Sequence, residues 1–294
     1  MTDIKPKVGF TGIGLLGTGI ARRLVDCGFP VMVWNRTPEK MASLLDAGAT
    51  RGATPAEMAA NSDILMTCVT DTAAVEAVVF GEDGYCAADV AGKLLVDMST
   101  IDATATREMA ARALATAGLR WIDAPISGGA PAALKGAMTV MAGGSEEDFE
   151  AARPIWDAVA GRCTLMGPSG AGQTTKMINQ VLVLDTFAVL AEAAALAMGA
   201  GVDPALIPKA LEGGRADSKL LQECMPKIAG QDPEPMGKNS ISLKDMEMLH
   251  DLARATGTPM PVSALVTEMN RQLVLRGLGE ECPSTFVRLL IDKG

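Results

Sequence analysis

The sequence predicts an α/β fold: a doubly wound parallel sheet in the N-terminal part, then a long linking helix and an all-α C-terminal part. Three observations predict it. Short apolar runs alternate with helix-length amphipathic segments through the first 165 residues, and the alternation then stops. Beyond that point every segment carries helical spacing. A glycine-rich turn, Gly12-Ile13-Gly14-Leu15-Leu16-Gly17, directly follows the first apolar run.

The runs are Val8-Gly9-Phe10-Thr11, Val31-Met32-Val33-Trp34, Ile64-Leu65-Met66-Thr67-Cys68-Val69, Lys93-Leu94-Leu95-Val96-Asp97, Trp121-Ile122-Asp123 and Met138-Thr139-Val140-Met141. Near-continuous apolar strands are those covered on both faces, as in a parallel sheet. Helical spacing falls between them at 17–27, 38–47, 72–79, 104–117 and 146–159. Strands that alternate with helices are joined by crossovers, hence parallel.

After Gly167-Pro168-Ser169-Gly170-Ala171-Gly172 the spacing predicts one helix over 173–198, about 40 Å long at 1.5 Å per residue and able to link two domains. It is apolar on nearly all sides. Cover all round is therefore expected, from the C-terminal part and from a partner subunit. Asp185 and Glu192 interrupt it, which favours a buried helix over a membrane span. The expected division is 1–166, 167–198 and 199–294, with a Pro/Gly-rich loop at 229–240.

Composition sets limits on the chemistry. The 294 residues are 48% apolar and 21% charged, enough for about two domains with real cores. His250 is the single histidine. It excludes a zinc site built on two histidines, and any Ser–His or Cys–His machinery not built on it, so no metal is expected. Aromatics at 3% and a net charge of −9 argue against a nucleic-acid partner. The six cysteines, at 27, 68, 86, 163, 224 and 282, form no CxxC unit and read as buried free thiols of a reducing compartment. The N-terminal residues carry no secretory pattern, so a cytoplasmic protein is expected.

The glycine turn sits where a dinucleotide-binding, Rossmann-type domain needs it, between the first strand and a helix. One glycine makes the turn, one lets backbone approach a pyrophosphate, and one lets helix pack on strand. Gly12, Ile13, Gly14, Leu15, Leu16 and Gly17 are thus candidate cofactor contacts. The second strand ends Trp34-Asn35-Arg36-Thr37, with no carboxylate before Glu39. An acid there would hold the ribose hydroxyl of NAD; Arg36 suits a 2′-phosphate, with Thr37 adding hydrogen bonds. NADP(H) is therefore expected over NAD(H).

Four separated motifs together resemble the β-hydroxyacid dehydrogenases. They are the glycine loop from Val8 to Gly17, Asp123-Ala124-Pro125-Ile126-Ser127-Gly128-Gly129, Gly170-Ala171-Gly172-Gln173-Thr174-Thr175-Lys176-Met177-Ile178-Asn179, and Lys244-Asp245-Met246. Asn35-Arg36-Thr37 is similar to the NADPH-using members. The resemblance implies reversible hydride transfer between NADP(H) and a small 3-hydroxy carboxylic acid or its semialdehyde. It implies Lys176 as general acid/base, in keeping with a chain almost without histidine, where a lysine pulled down from about 10.4 is the available proton carrier. Ser127, Gly128 and Gly129 match the loop that binds the substrate anion. Val69 and Thr100 match positions beside the cofactor, and Lys244 matches the lysine that closes over it.

Asn179 and Gln180 follow Lys176 at i+3 and i+4, on the same helix face. Asn179 either orients the lysine or bonds the substrate. Gln180, a candidate substrate contact, stands where the family often has a second Asn, and its longer amide would shift that contact. The stretch Met236-Gly237-Lys238-Asn239-Ser240 is more polar than its usual counterpart, which would let Lys238 or Asn239 meet a second polar group if that loop faces the site. The alternatives are an imine reductase on the same scaffold, against which an intact Lys176 motif counts, and a non-catalytic nucleotide binder. A homodimer or homotetramer is expected, and His250 is expected to be structural.

Overall fold

The computed structural model describes residues 5–230 and 237–291. The chain divides into two compact units, Met1–Lys176 and Met177–Gly294. The division falls inside the segment 167–198, which the sequence reading set apart as a linker.

In the first unit six parallel strands run in the order β3-β2-β1-β4-β5-β6. They are β1 Val8–Thr11, β2 Val31–Trp34, β3 Thr50–Arg51, β4 Ile64–Thr67, β5 Leu94–Asp97 and β6 Arg120–Asp123. Five are the expected runs; β3 is a two-residue edge strand too short to leave a pattern. Alternate residues feed two separate cores. Val8, Phe10, Val33, Met66 and Val96 enter one, while Leu65, Leu95 and Trp121 enter the other with Tyr85. That is why the runs are apolar throughout rather than alternating.

Register aligns the carboxyl edge. Thr11 faces Trp34 on one side and Thr67 on the other, Thr67 faces Asp97, and Asp97 faces Asp123. The last residues of five strands thus share one row, and the loops leaving it start level. Strand order reverses at β1 and β4, the switch point at which such sheets bind ligands.

The sixth expected strand is a correction. Met138–Ala142 does not join the large sheet; as β8 it pairs antiparallel with β7 (Ile126–Ser127) and parallel with β9 (Ala160–Leu165). The chain turns back after β6, where the Pro125 carbonyl accepts from Met141 N at 3.1 Å and Asp123 bridges Gly143 antiparallel. An apolar run identifies a strand and not its neighbour. The helix expected over 146–159 is two, Glu146–Ala151 and Arg153–Val159, because Pro154 has no N–H to continue the first.

The helical run Ala171–Gly199 is, among the described residues, the one helix long and apolar enough by composition to cross a membrane. From Met177 onward its Leu184, Phe187, Ala191 and Ala194 pack with Leu221, Met225, Met246 and Phe286 in the core of the second unit. Cover all round is not what the chain itself provides. Leu182, Val189 and Leu196, spaced by seven, remain 66, 58 and 75% exposed, because the C-terminal helices pack on the other side. The run is also interrupted by a π-helical stretch, Val181–Asp185. Helices Lys219–Gly230, Asn239–Thr256 and Pro261–Leu273 complete most of this unit. Of the loop expected at 229–240, Ala229 and Gly230 end one helix, Asn239 and Ser240 begin the next, and 231–236, with Met236, lie outside the described residues. All six cysteines are free, Cys224 and Cys282 buried and the other four half-buried.

Candidate active site

The three glycines of the nucleotide loop face different surroundings. A Cβ on Gly12, where φ is +100°, would lie 2.3 Å from the Cys68 carbonyl oxygen; one on Gly17 would lie 1.9 Å from the Gly12 carbonyl oxygen. Both positions are therefore closed to any side chain. A Cβ on Gly14 would meet nothing within 4 Å. Gly14 caps the helix Leu15–Asp26, which has no side-chain cap and no acidic residue in its first turn. Open backbone at an uncapped helix start is what a pyrophosphate requires, so the loop fits a dinucleotide. Leu15 is exposed beside it, Leu16 is half-buried, and Ile13 faces the core.

The Asn35 side chain ties this loop to β2. Its Oδ1 accepts from Ile13 N at 2.9 Å and its Nδ2 donates to the Thr37 carbonyl at 2.8 Å. Arg36 and Thr37 are exposed. Lys40 lines the same depression of about 490 Å³ as Gly14, Leu15, Thr18 and Ser43. It was missed in the sequence, although its place four residues after Arg36, on the turn Pro38–Met41, is the signal that could have found it.

Below the loops lies a buried polar layer. Thr67 Oγ1 donates to Asp97 Oδ1 at 2.6 Å, Ser99 N donates to the same oxygen at 3.0 Å, and Val69 N donates to Ser99 Oγ at 3.0 Å. Burial pushes the Asp97 carboxyl up to about 6, against the pull of those hydrogen bonds. The layer fixes the loop carrying Val69 to the loop carrying Thr100. Burial, with the Asp97 carboxylate adding to it, likewise raises the Cys68 thiol to about 12.

Lys176 is held from two directions. Asp123, fully buried, caps the start of the helix Ala171–Gln180, accepting from Gly170 N at 2.8 Å and Gln173 N at 3.0 Å. Burial pushes its carboxyl up to about 6, and the backbone N–H groups oppose the rise. Cβ atoms on Gly143 or Gly172 would come within 2.7 Å of that carboxylate, which explains the glycine at the start of the helix. One turn on, Lys176 is 8% exposed, and its Nζ donates to the Ile126 carbonyl at 2.8 Å. Ile126 immediately precedes Ser127-Gly128-Gly129, whose glycines have φ of +120° and +68°. Strand β7 thus brings Lys176 and the expected anion loop together.

In the second unit Asn179 Nδ2 donates to Gln180 Oε1 at 2.9 Å, and Gln180 Nε2 donates to Asp245 Oδ2 at 2.5 Å. Asp245 is 3% exposed and lies 3.2 Å from Lys244 Nζ through its other oxygen. A carboxylate only accepts, so the direction of the chain is fixed: Gln180 must donate to Asp245 and hence accept from Asn179. Gln180 is committed at both ends of its amide, and Asp245 is the residue sequence reasoning left without a role. The two polar residues held open for a substrate also have partners here. Lys238 pairs with Glu280; Asn239, fully buried, donates to the Leu278 carbonyl at 2.9 Å and to Thr285 Oγ1 at 3.0 Å, starting its helix. His250 bonds Thr267 Oγ1 at 2.9 Å between two helices of the same unit.

Comparison with known proteins identifies the family. Residues 7–167 match the family model for the NAD-binding domain of 6-phosphogluconate dehydrogenase. Residues 170–290 match that for the NAD-binding region of NADP-dependent 3-hydroxyisobutyrate dehydrogenase. An L-threonate dehydrogenase of Cupriavidus necator is 35% identical, with 96% of this chain and 95% of that protein aligned. A 2-hydroxy-3-oxopropionate reductase of Escherichia coli is 34% identical over 97% of both. The crystal structure of a 3-hydroxyisobutyrate dehydrogenase from Salmonella typhimurium superposes with a TM-score of 0.86 at 33% identity, covering 96% of this chain and 99% of that one. An imine reductase from Pseudomonas sp. shares the fold more distantly, at 22% identity and a TM-score of 0.63. The chain belongs to the β-hydroxyacid dehydrogenase family and is an oxidoreductase with an NAD(P)-binding Rossmann-type domain.

Proposed function

We propose that the protein is an NADP(H)-dependent dehydrogenase of small 3-hydroxy acids, or reductase of their semialdehydes, with Lys176 as general acid/base. The observation that carries this reading is the buried Lys176 ammonium on the Ile126 carbonyl, at the foot of Ser127-Gly128-Gly129. The bound cofactor supplies or takes up the hydride. Lys176 gives a proton to the substrate oxygen in reduction, withdraws it in oxidation, and as an ammonium stabilises negative charge gathering there. Ser127 and the backbone N–H groups of the two glycines bind the substrate carboxylate. Asn179 bonds the substrate, and Lys244, held by Asp245, contributes its charge to the cofactor. Arg36, Thr37 and Lys40 favour the 2′-phosphate of NADP(H), and no carboxylate stands between Trp34 and Glu39 to oppose it.

Relatives named for L-threonate and for 2-hydroxy-3-oxopropionate point to hydroxylated short-chain acids. The exposed stripe Leu182, Val189 and Leu196 suits a second copy of the same helix, so a homodimer or homotetramer is proposed. The free thiols suit a cytoplasmic location. The test is a panel. NADPH and NADH oxidation are followed with glyoxylate, succinic semialdehyde, tartronate semialdehyde and a cyclic imine, and NADP+ reduction with L-threonate and 3-hydroxyisobutyrate. Turnover of at least one acid or semialdehyde, faster with the phosphorylated cofactor, is expected. Turnover of the imine alone would overturn the proposal.

A further inference from the structure

We propose that Gln173 is a positioning residue that locks the loop carrying Thr100 to the helix turn carrying Lys176; the inference deepens the functional reading above and rests on it. The Gln173 side chain is fully buried. Its Nε2 donates to the Ser99 carbonyl at 2.8 Å, and its Oε1 accepts from Ile101 N at 3.1 Å. The orientation of the amide is fixed by its partners, because a carbonyl only accepts and a backbone N–H only donates. Residues i and i+2 on one edge are what a neighbouring strand pairs with. Gln173 therefore does the work of a strand one residue long, gripping the backbone on both sides of Thr100.

The same residue is anchored at its main chain, where Gln173 N donates to Asp123 Oδ2 at 3.0 Å. Lys176 follows one turn later. Upstream, Ser99 is held by Asp97 and in turn receives Val69 N. Gln173 thus joins the loop that leaves β5 to Asp123 at the end of β6, and Ser99 joins that loop to the one that leaves β4. A packing role alone would be served by an apolar side chain of the same length, without the need to satisfy two buried polar atoms. The amide instead removes the freedom of the Thr100 backbone relative to Lys176, and displacement of a reacting group by about an ångström lowers turnover by up to about a hundredfold.

The test is a double-mutant cycle of Gln173→Met with Thr100→Ala, assayed with NADPH and the fastest aldehyde of the panel. In Gln173→Met, kcat is expected to fall about tenfold to a hundredfold, while the NADPH Kd from fluorescence titration changes by less than about threefold. Ile101 amide exchange in the ligand-free protein is expected to accelerate at least about tenfold. In the Thr100→Ala background the same substitution should cost less than about threefold in kcat, because the Thr100 side chain that the backbone grip places is gone. Equal losses in both backgrounds, or unchanged kcat, would overturn the positioning role. Should Gln173→Met fail to fold, Gln173→Glu, which keeps an acceptor for Ile101 N, takes its place in the cycle. Lys176→Ala is run in parallel. Persisting turnover there overturns the functional reading, whereas lost turnover there with equal losses in the cycle overturns the Gln173 role alone.

Discussion

Gly14→Ala separates what the glycine loop does for the fold from what it does for the cofactor. The Gly14 φ of −97° is open to any residue, and an added methyl meets nothing within 4 Å. At a helix cap the change costs no more than about 1 kcal/mol, a shift of about 2–4 °C in Tm for a chain this long. Gly14 lines the depression at the helix start, so the methyl would take up space beside the amides to which phosphates are proposed to bind. Loss of one charge-assisted hydrogen bond there costs about 1.5–3 kcal/mol, so the NADPH Kd should rise roughly tenfold to a hundredfold. Gly17→Ala is the counter-experiment. Its Cβ would lie 1.9 Å from a backbone oxygen, so the helix must shift off the strand and stability should fall by about 1–3 kcal/mol. Both variants are read by thermal unfolding and by fluorescence titration with NADPH. An unchanged NADPH Kd in a folded Gly14→Ala would refute the reasoning.

Arg36→Ala should weaken NADPH by about tenfold to a hundredfold and leave NADH nearly unchanged, with Lys40→Ala showing a smaller effect of the same sign; equal losses for both cofactors would count against a 2′-phosphate site. Asp97 binds its proton more tightly folded, at about 6, than its ordinary 3.8. Its stabilising contribution is thus complete below about pH 4 and lost as pH rises through 6. Urea unfolding across pH 4–7 should show Asp97→Asn with a flatter fall in stability than wild type, and parallel curves would exclude this cause. Asp123→Ala leaves two buried helix N–H groups without an acceptor, each worth about 1–3 kcal/mol, and should lower the unfolding midpoint accordingly.

Much of the first unit is written in residue types that backbone geometry forces. Gly12 and Gly17 admit no side chain, and strands covered on both faces have to be apolar along their length. Arg36 could be singled out because a 2′-phosphate restricts the side chains that suit it, and Lys176 because its motif resembles that of the β-hydroxyacid dehydrogenases. Less legible were residues whose role depends on a partner distant in sequence. Met138–Ala142 reads as a strand whichever sheet it joins. Asp123 and Gln173 are polar residues inside motifs, and only folding shows that one caps a helix 47 residues away and the other grips Ser99 and Ile101. Gln180 reads as a substrate amide until Asp245, 65 residues on, takes its N–H. The π-helical stretch Val181–Asp185 leaves no mark in a pattern already apolar on nearly all sides.

The most direct test of Lys176 as the acid/base is the kcat of Lys176→Ala with NADPH and the best semialdehyde, alongside the NADPH Kd of the same variant. A positioned proton carrier is worth about 10²–10⁴-fold, so kcat should fall by that factor while the NADPH Kd stays within about twofold of wild type. Undiminished kcat in a variant that still binds NADPH would contradict it.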